Sequence, residues 1–361
     1  MRGKVEEETS LRWQIRLAAA AVQGGTGVEV RRLGASGLKV SRLGLGTMTF
    51  GLQSDRKTSF QILDRAVAAG VSFIDTADVY PLGRTRSEFG LTEEILGEWL
   101  KGHRQEVVLA TKCHGVMGPG LNDQGLGRKH IMEAVEASLR RLRTDYLDLY
   151  QAHQFDRATP LEETLRAFDD LIRQGKVRYV GVSNWPAYQV QRSLAIADRR
   201  DFDPLVSVQP RYNLLYRAIE TELVPLCREA GVGIIAYNPL AGGFLTGRYR
   251  RGQEVEPGTR FALGGIAKPG ERYRGRYWNE AAFAAVETFR TFCANRGWDM
   301  ATTAVRWVMH QPGVSVALIG ASRPDQLEQS LAASALGPLG PEELQELDDL
   351  WYQLPRQKVE E

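Results

Sequence analysis

From Val28 onward, short apolar runs of strand length alternate with amphipathic helical stretches, and the alternation repeats at least seven times. Few architectures accept such a chain. When a helix separates each strand from the next, the strands pair in parallel and are covered by helices on their outer face, so they read as continuous apolar runs. Eight strand candidates are present: Leu43–Gly46, Val71–Asp75, Val107–Lys112, Tyr146–His153, Arg178–Ser183, Leu205–Gln209, Val232–Tyr237 and Val314–Gly320. Between them, helices are marked by period: Phe60, Leu63 and Val67; Ile131, Val135, Leu139 and Leu142; Leu161, Leu165, Phe168 and Ile172. Thr159 reads as an N-cap, with Pro160 at the first helical position and Glu162 completing a capping box. Gly70, Gly175 and Gly231 stand where helices must stop.

Eight strands with intervening helices can close into a (β/α)₈ TIM barrel or form an open doubly wound sheet. The barrel is favoured, because an open dinucleotide-binding sheet needs GxGxxG after its first strand. Here Gly44-Leu45-Gly46-Thr47-Met48-Thr49-Phe50-Gly51 lacks the third glycine of that spacing. Ahead of it, Val28–Leu33 and Leu38–Leu43 flank the turn Gly34-Ala35-Ser36-Gly37, an N-terminal β-hairpin able to plug one end of a barrel. The expected organisation is an extension over 1–28, with a loose helix near Leu11–Val22, one barrel domain over 29–354, and a tail over 355–361.

One segment breaks the rhythm. Asn238 to Tyr277, after the seventh strand, holds nine Gly and eight Lys or Arg against three Glu and shows no sustained period. A long basic loop at the strand C-termini of a barrel suits a lid over an anionic ligand. Pro341–Leu354 reads as a C-terminal helix that closes over the same region.

Composition removes several function classes. With 46 Lys+Arg against 44 Asp+Glu, the formal charge of +2 favours neither nucleic acid nor an anionic membrane. No run reaches the roughly 18 apolar residues of a membrane span. Cys113, Cys227 and Cys293 lack CxxC spacing and read as reduced core filler in a cytoplasmic protein.

In a barrel, side chains at strand C-termini converge on one mouth. The second strand closes with Asp75-Thr76-Ala77-Asp78-Val79-Tyr80, the third with Lys112-Cys113-His114, the fourth with Gln151-Ala152-His153, and the fifth with Ser183-Asn184-Trp185. Singly, each has a bland reading as a rim charge, a turn asparagine or a satisfied histidine. Together, Asp, Tyr, Lys and His at three successive strand ends form a constellation. No His/Asp/Glu metal cluster and no paired acidic strand ends accompany it, which weighs against hydrolase or isomerase chemistry.

At these residues the chain resembles the aldo-keto reductase family, in the branch of bacterial aryl-alcohol and sugar-type reductases and potassium-channel β-subunits. The likeness runs from about Val28 to about Ala335. It includes Arg32-Leu33-Gly34-x-Ser36-Gly37-Leu38, the Gly44–Gly51 turn, Asp75-Thr76-Ala77-x-x-Tyr80, Ala110-Thr111-Lys112, the His153 strand and Gly181-Val182-Ser183-Asn184. It continues through Gln209, Tyr237-Asn238-Pro239-Leu240, Gly247-Arg248-Tyr249 and Gly320-Ala321-Ser322.

The resemblance implies a (β/α)₈ barrel binding NADPH, preferred over NADH, and reversible hydride transfer to a small carbonyl or from an alcohol. It implies Tyr80 as general acid, Lys112 and Asp75 lowering the phenol's pKa, and His153 orienting the carbonyl. Ser183, Asn184 and Gln209 would hold the carboxamide, Tyr237 would stack on the nicotinamide, and Thr47 and Met48 would lie near the ribose. The turn at Leu240, Ala241 and Gly242, after Asn238, would face the pyrophosphate, with Arg248 and Arg260 as cationic partners. Gly320, Ser322, Arg323, Gln326 and Gln329 would line the adenine end, with Arg323 toward the 2′-phosphate. Gln329-Ser330 stands where relatives often carry Glu-Asn, and Asn238 where many carry Ser. Phe50, His114 to Met117, Phe155 and Trp185 are the expected pocket walls. The competing expectation is a slow-turnover redox sensor or channel-associated regulator.

Overall fold

Apolar strands covered on their outer face close on themselves when their count and twist allow it, and here eight of them do. The computed structural model describes residues 27–82, 85–265, 268–352 and 354. The expected helix near Leu11–Val22 and the 355–361 tail lie outside the described residues. The barrel strands are β3 (Leu43–Gly46), β4 (Phe73–Asp75), β5 (Val108–Cys113), β6 (Leu147–Ala152), β7 (Val177–Ser183), β8 (Ser207–Gln209), β9 (Gly233–Tyr237) and β10 (Val314–Ile319). All neighbours are parallel, and β10 pairs with both β3 and β9 to complete the circle.

The covering helices are α1 (Arg56–Ala68), α2 (Leu91–Trp99), α3 (Arg128–Leu142), α4 (Leu161–Arg173), α5 (Ala187–Arg200) and α6 (Leu223–Ala230). The α4 stripe shows why they dock: Leu161, Leu165, Phe168 and Leu171 are all buried, at spacings of three and four. Gly70, Gly175 and Gly231 end their helices with positive φ, as the sequence indicates. Thr159 differs from expectation. Pro160 is the cap position of α4, and the Thr159 hydroxyl instead donates to Asp156 at 2.7 Å.

The hairpin β1 (Val30–Arg32) and β2 (Lys39–Ser41) seals the N-terminal end of the barrel. Its Leu33 and Val40 join the interior cluster of Phe73, Ala110, Leu149, Ile235 and Val316. Gly34 makes the seal possible. It has φ +58, and a Cβ there would stand 2.3 Å from the Gly231 carbonyl oxygen, so only glycine lets the turn lie this close to the start of β9.

The segment after β9 is less loop-like than the sequence suggests. It ends in helix α7 (Pro269–Tyr277), followed by α8 (Glu280–Ala294) and α9 (Met300–Met309) before β10. Phe244, Tyr249, Phe261, Tyr277 and Trp278 pack ring against ring and hold the segment to the body. Helix α10 (Pro324–Leu331) follows β10, and the C-terminal helix α11 (Pro341–Tyr352) packs on α8. Trp351 also packs edge-on against Tyr216, which lines the central cavity.

All three cysteines are free and buried, as expected of core residues. Burial raises each thiol, Cys227 to about 12 and Cys293 to about 11. Among the described residues no helix is long and apolar enough to cross a membrane.

Candidate active site

The strand C-termini open into a cavity of about 1670 Å³ lined by Asp75, Tyr80, His153, Ser183, Asn184, Gln209 and Tyr237 at its floor and by the segment after β9 above. Asp75 ends β4 and Lys112 lies near the end of β5, so adjacent parallel strands bring them together without any help from loops. Lys112 Nζ donates to Asp75 Oδ2 at 2.5 Å and to the Thr76 carbonyl at 2.8 Å. The other Asp75 oxygen accepts from Gln209 Nε2 at 2.8 Å and from Gln151 Nε2 at 3.1 Å. Gln151 was not singled out from the sequence, although the strand period offered the signal: it lies two residues before His153 and shares its inward face.

Tyr80 sits at the end of the turn that leaves β4, its amide bonded to the Ala77 carbonyl at 3.1 Å. Lys112 Nζ is 5.5 Å from its ring centroid, and the His153 ring meets it edge-on at 5.8 Å. The four residues expected to carry chemistry are thus assembled. Burial pushes the Tyr80 phenol well above its ordinary value, and the Asp75 charge pushes the same way. That outweighs the depression expected from Lys112 and keeps the phenol protonated. Burial, and then the Lys112 charge, hold His153 well below the ordinary imidazole range, so its ring is neutral. Burial also lowers Lys112, against the opposing pull of Asp75.

The expected cofactor residues fall along this cavity with different degrees of engagement. Asn184, at φ +60, donates to the His153 carbonyl and to Ser183 Oγ, each at 3.0 Å, and accepts from the Tyr237 hydroxyl at 2.9 Å. Ser183 Oγ donates to the Gln209 carbonyl at 2.8 Å. Thr47 is anchored on the Asp75 carbonyl at 3.0 Å. Met48 contacts Arg260, whose guanidinium also reaches the Tyr273 hydroxyl at 3.3 Å. Asn238 pins the following turn, accepting from the Gly242 amide at 2.6 Å and donating to the Tyr277 hydroxyl at 3.0 Å.

At the far end Gly320, Ser322, Arg323, Gln326 and Gln329 line the same cavity. Gln326 Oε1 accepts from both the amide and the hydroxyl of Ser322, at 2.9 and 3.0 Å. Arg323 is paired with Asp325 at 3.1 Å, and Arg248 with Glu256.

Some of these expectations need correction. Ala241 is fully buried and does not line the cavity, because its amide turns back to the Asn238 carbonyl. Phe50 is likewise core and not a pocket wall, with its carbonyl taken by the Thr92 hydroxyl. Of the other expected walls, His114, Phe155 and Trp185 line the cavity, the last two as an edge-on pair at 4.9 Å, whereas Gly115, Val116 and Met117 do not, Val116 being exposed and Met117 packing against the Ala77, Val79 and Tyr80 cluster.

Comparison with known proteins identifies the family. The model of the Aldo/keto reductase family matches residues 42–352. The chain is 39% identical over 331 residues to the uncharacterized oxidoreductase YrpG of Bacillus subtilis, covering 90% of this chain and 96% of that one. It is 37% identical over 320 residues to a probable voltage-gated potassium channel subunit beta of Arabidopsis thaliana, covering 86% and 93%. Identity to the versiconal hemiacetal acetate reductase of Aspergillus parasiticus is 32% over 348 residues, covering 89% and 96%. By the family model over most of its length and by these identities, the chain belongs to the aldo/keto reductase family.

Proposed function

We propose that this oxidoreductase is an NADPH-dependent carbonyl reductase, acting reversibly between an aldehyde or ketone and the corresponding alcohol. The observation that carries the reading is a protonated, buried phenol, Tyr80, beside a neutral imidazole, His153, over a dry ammonium–carboxylate pair. The cavity suits a nicotinamide dinucleotide. Amide and hydroxyl groups lie at one end, the positive-φ glycines Gly242 and Gly243 in the middle, and Ser322 and Gln326 at the other end. Arg260 and Arg323 also border it, offering guanidinium groups to phosphates.

When bound, the nicotinamide supplies or accepts the hydride. Tyr80 gives its proton to the carbonyl oxygen as charge develops there. His153 is uncharged and can donate a hydrogen bond to the same oxygen without competing for that proton. Lys112 stabilises the phenolate left behind, and Asp75 holds Lys112 in place, itself braced by Gln151 and Gln209. Ser183, Asn184 and Gln209 would hold the carboxamide, and Tyr237 would offer its ring to the nicotinamide.

A panel of aldehydes, ketones and alcohols assayed with NADPH and NADH tests this reading. NADPH oxidation dependent on a carbonyl compound is expected, with NADPH preferred. Tight NADPH binding with negligible turnover across the panel would instead favour a regulatory role, the reading that the similarity to a protein named as a channel subunit keeps in view.

A further inference from the structure

The wall of the cavity beyond β8 holds a cation without a counter-ion. Arg211, two residues past β8, is 6% exposed and lines the cavity. Its guanidinium lies 3.5 Å over the centroid of the Tyr216 ring and 6.0 Å from that of Tyr277. Its Nη1 has no hydrogen-bond partner. Arg217, six residues on and similarly buried, shows what neutralisation looks like in this fold, because Glu220 and Asp348 both pair with it. Among the described residues Arg211 has no such carboxylate. Arginine cannot shed its proton, and a buried guanidinium without an anion carries a desolvation cost that stacking on tyrosine only partly offsets. The arrangement is stable at lower cost with an oxyanion in the cavity.

The surroundings indicate which end of the cavity that oxyanion occupies. The charges of Arg211 and Arg276 are both felt at Tyr237, whose hydroxyl donates to Asn184. Arg272, which is exposed and lines the same cavity, is felt at His153. Arg211 pairs with Tyr237 in an isolated backbone bridge, and Asn184 links the Tyr237 hydroxyl to the His153 carbonyl, so Arg211 lies toward the Tyr80–His153 end and not the Gly320–Gln329 end. Glu222, also on this wall, is exposed.

Resting on the carbonyl-reductase reading above, we propose that Arg211 forms an oxyanion subsite of the substrate pocket, so that the preferred carbonyl compounds carry a carboxylate or comparable acid group, with Arg272 adding positive potential at the mouth. A guanidinium fork matches a carboxylate in two parallel hydrogen bonds, which gives selectivity as well as attraction. The same chemistry could be supplied by the cofactor's pyrophosphate, and the test separates the two sources.

The full chain with NADPH is assayed on 4-carboxybenzaldehyde and on its methyl ester, and benzoate and benzamide are titrated calorimetrically into the protein–NADP⁺ complex. We expect kcat/KM to favour the acid over the ester by about tenfold or more, and benzoate to bind more tightly than benzamide. In Arg211→Met, which keeps bulk over Tyr216 but not charge, both ratios should collapse toward one, while Arg211→Lys should restore part of them. If Arg211→Met does not fold, the wild-type ratios and Arg211→Lys decide. Weakened NADPH binding in the variants with unchanged benzoate binding would assign the oxyanion to the cofactor and overturn the proposal. Turnover of both aldehydes with no preference for acid, and no benzoate binding, would overturn it while leaving carbonyl reduction intact. Benzoate binding that depends on Arg211 in a protein that reduces no carbonyl would support the subsite and sink the reductase reading instead.

Discussion

Lys112 and Asp75 meet at 2.5 Å with their side chains 0% and 2% exposed, so the ion pair at the floor of the cavity is shielded from solvent. Removing one member leaves the other charged and buried. Lys112→Met is expected to cost about 3–5 kcal/mol of stability, the usual range for breaking a buried pair. The double variant Lys112→Met/Asp75→Asn should lose less than the sum of the single losses. Equilibrium urea unfolding of the three variants measures this, and strictly additive losses would mean that the two groups do not support each other.

Tyr80→Phe separates catalysis from binding. It keeps the ring and the shape of the pocket and removes the acidic proton, so turnover should fall by about 10²–10⁴-fold, the usual range for general acid catalysis. NADPH affinity, read by fluorescence titration, should be retained. A purified Phe variant that keeps most of its carbonyl reduction at saturating NADPH would remove Tyr80 from the role of acid.

The pH profile of reduction follows from two shifts. Tyr80 is raised by burial, so its acid form persists past the ordinary titration of a phenol, whereas His153 is lowered by burial and by Lys112, so its neutral form persists below the ordinary imidazole range. Both active forms then coexist across neutrality. The kcat for reduction should be flat from about pH 6.5 to about 9, between the ordinary values of the two side chains. A limb inside that window that survives Lys112→Met would contradict one of the two directions, since burial lowers Lys112 as well.

Arg323 bears on cofactor preference, but its guanidinium is already engaged by Asp325 at the surface. Arg323→Ala should therefore weaken NADPH only several-fold and leave NADH nearly unchanged, while Asp325→Ala should tighten NADPH by freeing the fork. Dissociation constants for both cofactors decide the matter. Equal weakening of NADPH and NADH by Arg323→Ala would make that residue structural.

The segment after β9 should respond to NADPH unevenly. Phe244, Phe261 and Tyr277 are buried in the aromatic cluster, whereas residues 250–258 are mostly exposed. Hydrogen exchange should show added protection on NADPH binding over about 250–265, with 269–277 protected in both states. Unchanged exchange throughout would mean that this segment is no lid.

The barrel and the positions of Asp75, Lys112 and His153 are legible because strand order places them: they come from or just beyond consecutive strands, and a closed parallel sheet brings their ends together, while Tyr80 is delivered by the turn after β4. What could not be read locally depends on contacts remote in sequence. Helix α7 is hidden by its composition, with Gly270 and Gly275 inside it. Gly270 is required because a Cβ there would stand 2.4 Å from the Leu263 carbonyl oxygen. The helix is held by Tyr273 and Tyr277 packing on the aromatic cluster and not by its own propensity. Nothing in the local sequence marks Arg211, and only the rings of Tyr216 and Tyr277, brought over it by the fold, show that it is enclosed.

The hairpin across the N-terminal end turns the barrel into a vessel with a single opening. Leu33 and Val40 close the opposite end with apolar side chains, so no through-passage exists along the barrel axis among the described residues. What reaches Tyr80 therefore comes from the strand C-terminal side, past the segment after β9 that borders the cavity. The two ends of the barrel divide the labour: one contributes only closure, and the other only access.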